Sequence, residues 1–193
     1  MNVEFELKFS ATPQILAALR QRFSGEEAVI SMETTYYDTP GGDFSARKIT
    51  LRRRLENGIC VCTLKTPGDK LARGEYELRC DQIEAALPEL CKLAELPELA
   101  TAARAGLTAV CGARFTRIAK LLTFPGFSAE LALDSGILLG GGRELPLCEV
   151  ELELKSGSGE ALCAFAEQFS KEFSLKAESR SKFRRALDLA RGG

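Results

Sequence analysis

The sequence predicts an α+β domain built on a closed eight-stranded antiparallel β-barrel, with helices packed on its outside. The first observation is a period-two alternation of charged and apolar residues, as in residues 4–9 and 149–155, which is typical of strands. An open sheet with one solvated face would explain this alternation alone. The second observation is that acidic and basic residues are segregated by strand, whereas a solubility surface would mix its signs. A barrel with inward charges explains both, because basic strands then offset acidic ones across its interior.

Eight strands follow from the alternation and from turn signals between the runs. Asn57-Gly58 lies between two strand-like runs and fits a tight hairpin. Pro125-Gly126 separates two further strands in the same way. The glycines at 140–142 are expected to form a loop between strands, since the lysine of a phosphate-binding P-loop is missing. The expected strands are residues 3–9, 32–38, 48–55, 59–66, 73–80, 114–124, 127–134 and 147–155.

Helices are expected between and after these strands. Thr12 followed by Pro13 fits an N-cap with proline at the first helical position, opening a helix that runs to about Phe23. Asp81 is expected to cap a second helical segment, which two prolines interrupt. These prolines are Pro88 and Pro97, and two further amphipathic helices are expected at residues 161–173 and 182–190.

Length and composition indicate one domain, residues 1–193. Of the 193 residues 45% are hydrophobic, which is enough for one sizeable core. The 26 basic and 27 acidic residues leave a net charge of −1, which does not favour a nucleic-acid partner. No apolar run approaches the roughly 20 residues of a membrane helix, so no membrane association is expected.

Two residue types limit the chemistry further. The chain has no histidine, which excludes Ser-His-Asp and Cys-His catalysis and every histidine-ligated zinc site. Any general base or metal ligand must therefore be Asp, Glu, Lys, Tyr or Cys. The seven cysteines are an odd number without a CxxC pair, and no signal peptide is recognisable, so we expect free thiols in a cytoplasmic protein.

The charged strand faces together predict a site for a polyanion held with a divalent metal. Glu149, Glu151 and Glu153 lie on one face of the last long strand, about 6.6 Å apart, and repel one another unless something compensates. Carboxylate oxygens bind Mg²⁺ or Mn²⁺, and Arg and Lys side chains bind phosphoryl oxygens. The other strand-face charges are Glu4, Glu6, Lys8, Arg52, Arg54, Lys65, Arg73, Glu75, Glu77, Arg79, Arg117, Glu130 and Asp134.

A set of short motifs runs in one order along almost the whole chain. They are Glu4-x-Glu6-x-Lys8, Tyr37-Asp38-Thr39-Pro40, Leu51-Arg52-x-Arg54, Thr63-x-Lys65, Arg73-x-Glu75-x-Glu77, Glu149-Val150-Glu151 and Ser181-Lys182-x-x-Arg185. Together they resemble the CYTH domain superfamily, the triphosphate tunnel metalloenzymes, whose N-terminal signature is ExExK. That signature alone is a weak signal, whereas the ordered set is specific.

The resemblance implies an eight-stranded antiparallel tunnel, a divalent metal (Mg²⁺ or Mn²⁺) and a small-molecule substrate that bears a triphosphate. Glu75 and Glu77 would ligate a second metal or orient water, and Arg185 has the alternative of decorating a solvated helix face. The implied metal ligands are Glu4, Glu6, Asp134, Glu149, Glu151 and Glu153. The implied substrate-binding residues are Lys8, Arg52, Arg54, Lys65, Arg73, Arg117, Lys182 and Arg185, and the implied catalytic residues are Lys8, Glu75, Glu77 and Lys182.

Hydrolysis of inorganic triphosphate is the function that the resemblance favours, because the strand at 148–154 looks like that of bacterial inorganic triphosphatases. Those often carry a second helical domain, so we expect a stand-alone form or one domain of a longer protein. A class IV adenylyl cyclase or a thiamine triphosphatase is the alternative, although three tyrosines and no tryptophan offer few stacking platforms. A non-catalytic polyphosphate-binding module is the third hypothesis, and the clustered carboxylates argue against it because they would repel a polyanion.

Overall fold

A nine-stranded antiparallel sheet forms the body of the molecule in the computed structural model, which describes residues 2–68 and 72–192 and the side chains of 5–68 and 74–192. Its strand order is β5-β4-β3-β2-β6-β7-β8-β1-β9. The strands are β1 (Asn2–Ser10), β2 (Ala28–Asp38), β3 (Thr50–Glu56), β4 (Ile59–Thr66), β5 (Ala72–Arg79), β6 (Thr108–Phe124), β7 (Phe127–Gly140), β8 (Arg143–Gly157) and β9 (Lys176–Ala177).

The α+β class and the large antiparallel sheet are confirmed, while the predicted number of eight strands is wrong for the described residues. The ninth strand, β9, is two residues long and pairs with Phe9 and Ser10 of β1. A segment this short cannot show a period-two pattern, so it could not be predicted from alternation. The closed eight-stranded barrel is not confirmed as predicted. β1 does also pair with β5, with Glu4 opposite Arg73.

The three longest strands, β6, β7 and β8, extend well beyond their predicted bounds. Tight turns join them at Gly126 and at Gly141–Gly142, where φ is positive as glycine allows. The segment 137–139 is a continuous apolar run, so the alternation that marks a strand stops before β7 ends. Gly140 closes β7 under the last helix: a Cβ there would lie on the carbonyl oxygen of Ala186 and 2.7 Å from the backbone nitrogen of Ala190.

Six helices of the described chain lie around the sheet. Thr12 caps the first helix as predicted, and its hydroxyl accepts a hydrogen bond from the Ile15 N–H at 3.3 Å. The second helix was not predicted, and the carboxylate of Asp38 accepts from the backbone N–H groups of Phe44 and Ser45 at its start. The helices are α1 (Pro13–Arg22), α2 (Asp43–Ala46), α3 (Ile83–Leu93), α4 (Pro97–Ala102), α5 (Gly159–Glu172) and α6 (Lys182–Arg191).

Two expectations for α3 are wrong. Its N-cap is Gln82 rather than Asp81, and Pro88 lies inside the helix instead of breaking it. The helix tolerates the proline because α3 buries a full apolar face, including Ile83 and Leu90, against the outer side of β3 and β4. Pro97 does separate two helices, since it occupies the first turn of α4.

Two apolar cores lie between helices and the outer face of the sheet, opposite the charged strand faces, whereas α6 packs on the charged side, against Met32 and Leu138. One core packs α1 and α5 against β1, β7 and β8 around Leu19, Leu152 and Leu162. The other packs α3 and α4 against β3 and β4, where Cys60 and Cys62 are buried as expected of small apolar residues. All seven cysteines are free thiols. Within the described part of the chain, each helix is too short or too polar to cross a bilayer.

Candidate active site

A cavity of about 330 Å³ lies on the charged inner face of the sheet, and most of its described lining residues are charged. One side is basic and is formed by β3 and β4, which contribute Arg52, Arg54 and Lys65; we call these three residues the basic wall. The opposite side is acidic and comes from β1, β7 and β8. Strand periodicity produces this arrangement, because residues two apart along a strand share one face.

The side chains of the basic wall are held in place by hydrogen bonds and ion pairs. Arg52 Nη2 lies 3.3 Å from Glu75 Oε1, and Lys65 Nζ lies 3.0 Å from the same oxygen. Arg54 Nε donates to Thr34 Oγ1 at 3.1 Å. Burial, together with the charge of Arg52, lowers the pKa of the Arg54 guanidinium. Neighbouring groups therefore neutralise the positive charge of Arg54 only in part, and a bound anion would stabilise it.

A row of three glutamates crosses the acidic side at one level of the sheet. Glu130 is opposite Glu153 in the β7–β8 pairing, and Glu153 is opposite Glu6 in the β8–β1 pairing. We call Glu6, Glu130 and Glu153 the glutamate row; their side chains are 13%, 28% and 28% exposed. Lys155 Nζ lies 2.8 Å from Glu153 Oε1, and Lys8 Nζ lies 3.0 Å from Glu6 Oε1.

Deeper on the same strands lies a second acidic group with quite different partners. Asp134, Glu149 and Glu151 are buried, with carboxylate oxygens within 4.8 Å of one another. Three cations contact them, so that the charges of the six described side chains cancel. We call this set the buried ion cluster: Asp134, Glu149, Glu151, Arg117, Lys182 and Arg185.

The helix α6 supplies the central cation of the buried ion cluster. Lys182 Nζ lies 2.8 Å from Asp134 Oδ2 and 2.7 Å from Glu151 Oε1, and it also contacts Glu149. Arg117 on β6 makes two hydrogen bonds of 2.8 Å to Asp134 and a third to Glu151. Arg185, one turn after Lys182 on α6, contacts Glu149.

The protonation of the buried ion cluster follows from these contacts. Burial alone would lower the pKa of Lys182, but the three carboxylates raise it well above its usual range, so the ammonium keeps its charge. Burial raises the pKa of Glu149 to about 7, against the opposing effect of Lys182. Burial would raise the pKa of Glu151 as well, yet Lys182 and Arg117 hold it well below its usual range. A proton taken up by the pair would therefore reside on Glu149.

Two places on the acidic side have the oxygen donors that a hard divalent cation requires. The spacing of the three carboxylates in the buried ion cluster would suit a metal ion, but the Lys182 ammonium lies among them and would have to be displaced. The glutamate row is partly exposed and lines the cavity directly. The donor chemistry of the row fits a divalent cation without the removal of a buried charge.

The structure brings most of the predicted site residues to one cavity. Three predicted residues do not line this cavity, although they belong to the buried ion cluster beside it. They are Asp134, Glu149 and Arg185. The side chains of Glu4 and Arg73 lie outside the described residues. The predicted residues that line the cavity are Glu6, Lys8, Arg52, Arg54, Lys65, Glu75, Glu77, Arg117, Glu151, Glu153 and Lys182.

Sequence reasoning assigned no role to several lining residues. Glu130 was placed among the strand-face charges and Lys155 within the alternation of residues 149–155, but neither was given a binding or catalytic role, and both line the cavity. Tyr36 and Phe183 line the cavity through long-range packing of α6 on β2, with ring centroids 5.1 Å apart. No local pattern in the sequence reports that contact.

The chain is similar to known proteins in sequence and in fold. The model of the CYTH domain matches residues 2–187. An inorganic triphosphatase of Haemophilus influenzae is 32% identical over 96% of this chain, and the chain spans about half (54%) of that relative's length.

Solved structures share the fold at lower identity. A Hippeastrum protein, described as an adenylyl cyclase candidate with a dominant triphosphatase activity, superposes with a TM-score of 0.67 at 20% identity, covering 100% of this chain and 96% of its own. A Bacillus halodurans protein described as an adenylate cyclase candidate gives 0.66 at 21%, covering 96% and 98%. A Pyrococcus horikoshii protein gives 0.61 at 24%, also covering 96% and 98%. At these identities the likeness concerns the fold alone.

Proposed function

Because the chain belongs to the CYTH domain family, we propose that it hydrolyses inorganic triphosphate to diphosphate and phosphate, with Mg²⁺ or Mn²⁺, inside a tunnel-like cavity. The observation that carries this proposal is the cavity with the basic wall on one side and the glutamate row on the other. The pairing of β1 with β5 supports a sheet that closes into a tunnel. The name of the Haemophilus influenzae relative supports the choice of substrate.

The basic wall binds the phosphoryl oxygens of the substrate in this proposal. Arg52 and Arg54 present planar guanidinium groups that suit phosphate oxygens, and Lys65 adds a point charge. Their carboxylate partners orient them before the substrate arrives, which reduces the entropy lost on binding. Lys8 reaches the same cavity from β1, and Arg73 of β5 is proposed to join this set.

The glutamate row, with Glu4 from the same strand as Glu6, would hold the metal. A bound divalent ion supplies charge neutralisation on the phosphate chain and lowers the pKa of a bound water. Glu75 and Glu77 line the cavity beside Arg52 and are proposed to orient that water or the guanidinium itself. Arg117 and Lys182 also line the cavity, and their N–H groups are proposed to donate to phosphate oxygens of the substrate.

Phosphate release from tripolyphosphate, ATP and thiamine triphosphate, each with Mg²⁺, Mn²⁺ or a chelator, tests the proposal. We expect metal-dependent release that is fastest from tripolyphosphate. The Glu6→Gln variant should lose turnover, whereas the exposed Glu160→Gln on α5 provides a matched control with wild-type rates. Cyclic product from ATP, or preference for thiamine triphosphate, would replace the proposal with the corresponding alternative. Tight tripolyphosphate binding without turnover would indicate a binding module.

A further inference from the structure

A second cavity of about 670 Å³ adjoins the candidate active site. The two cavities share four lining residues: Thr50, Lys65, Ser181 and Phe183. The two cavities are therefore continuous, and a long ligand bound along the basic wall can extend past Lys65 into the second cavity. The start of α6 lies at this junction, since Ser181 is its N-cap.

The second cavity differs from the first in the sign of its charge. Four basic residues line it in addition to Lys65, and we call them the basic antechamber: Lys48, Arg180, Arg184 and Arg191. None of its lining residues in the described part of the chain is acidic. Arg180 pairs with Glu178 at 3.1 Å and Arg184 with Asp188 at 2.9 Å, while neither Lys48 nor Arg191 has an ion-pair partner among the described side chains. Such a cavity attracts anions, and its described lining offers no carboxylate to a metal.

The backbone at Lys48 adopts a conformation that favours glycine. Lys48 has φ of 58°, in the left-handed region that glycine adopts without strain. The turn at Lys48 follows α2, and the Lys48 N–H donates to the carbonyl of Ser45 at 3.1 Å. Lysine thus occupies a position where glycine would satisfy the backbone better, and its exposed side chain lines the antechamber.

We infer that the basic antechamber binds the distal phosphates of linear polyphosphates longer than triphosphate, while their terminal phosphates lie against the basic wall. A nucleoside is the other group that a triphosphate could place there. Phe183 is the one aromatic residue among the described lining residues, and it is 9% exposed and packs on Tyr36, so it offers a base little ring surface. This inference rests on the proposed function and extends its substrate class from tripolyphosphate to longer chains.

The test compares tripolyphosphate with tetraphosphate and a longer linear polyphosphate in the Lys48→Gly/Arg191→Gln variant. Glycine suits the backbone at position 48, so the double variant should fold like wild type. We expect its KM for the longer chains to rise about fivefold or more, and its KM for tripolyphosphate to change less than about twofold. The effect should shrink at high salt. Lys92→Gln/Lys171→Gln, on the outer helices α3 and α5, is the control with the same loss of two positive charges.

Equal KM values for all chain lengths in the double variant would overturn the inference, as would a selective rise in the KM for ATP, which would identify a nucleoside site. The failure of the proposed function is separable from these outcomes. If wild type releases no phosphate from any substrate, the affinity for the longer polyphosphate, measured by calorimetry, still decides the inference. Weaker binding by the double variant, with unchanged binding by the control variant, supports the inference. Unchanged binding by the double variant contradicts it.

Discussion

The glutamate row and the buried ion cluster use the same residue types on the same strands, yet their environments are opposite. Glu153 of the row and Glu149 of the cluster lie four residues apart on β8. The carboxylates of the row are partly exposed, whereas those of the cluster are buried and have their charges cancelled by a guanidinium on β6 and two cations of α6. An acidic pattern in one strand therefore divides into a part that suits a metal or substrate and a part that anchors a helix.

Removal of the central cation should give the largest effect and test the buried side of this comparison. Lys182→Met leaves three buried carboxylates with reduced compensation, and we expect a loss of about 3–5 kcal/mol in the free energy of unfolding. Urea denaturation followed by circular dichroism measures it. The control is Lys171→Met, whose ion pair with Glu167 is exposed to solvent and should contribute far less to stability. A Lys182→Met loss as small as that of the control would contradict the anchoring role.

Substitution in the glutamate row should change activity and leave stability nearly intact. Glu153→Gln removes one oxygen charge from the proposed metal site, and we expect apparent metal affinity or kcat/KM to fall about 10–100-fold. Higher Mg²⁺ should recover part of the rate, because the defect is in binding. Metal titrations of phosphate release measure the first effect and urea denaturation the second. A large loss of stability, or a rate defect that no metal concentration relieves, would remove the distinction between the two groups.

The effect of bound metal on stability should show whether the glutamate row or the buried ion cluster holds the ion. Saturating Mg²⁺ should stabilise wild type by about 1–3 kcal/mol, because ligand binding to the folded state shifts the unfolding equilibrium. Glu153→Gln should lose most of this stabilisation. The thermal unfolding midpoint with and without chelator provides the measurement. If the metal instead stabilised Lys182→Met more than wild type, the vacated carboxylates of the buried ion cluster would be the preferred site.

The smallest effect is expected at the rim of the row. Lys155 is 38% exposed and contacts Glu153 and Glu130, so Lys155→Gln should raise the KM for tripolyphosphate only about two- to threefold. Initial rates at low and high salt measure the change, which should vanish at high salt. A larger, salt-independent effect would assign Lys155 to the site itself.

The comparison also shows how far sequence reasoning reaches. Alternation placed Glu149, Glu151 and Glu153 on one strand face, because a period of two is a local property. It could not separate Glu149 from Glu153, because burial depends on Lys182 and Arg185, which arrive from a helix about thirty residues later in the chain. Resemblance to the family named those two cations, but contacts across the fold were needed to show which carboxylates they neutralise.

The fold shows the same division between local and non-local information. Thr12 and Asn57-Gly58 carry their own turn and cap signals, and α1 and the β3–β4 hairpin were predicted closely. The far ends of β6 and β7 were missed, because apolar residues such as Ala113 and Leu138 are covered there by α6 and no longer alternate with polar ones. The start of β8 was missed because residues 143–146 are exposed and include Pro146, which does not fit a strand pattern. The predicted break at Pro88 was wrong for a related reason, since the tertiary packing of α3 outweighs the unfavourable effect of one proline.

Gly140 has a consequence for how selection would act on this protein. It does not line the charged cavity, yet any side chain there would collide with the backbone of α6 at Ala186 and Ala190. The displaced helix would draw Lys182 and Arg185 away from their carboxylates. A population of variants scored only for catalysis would therefore reject changes at Gly140 as strictly as changes at a charged residue. Sensitivity to mutation would thus identify residues that position α6, such as Gly140, as well as the charged residues of the site.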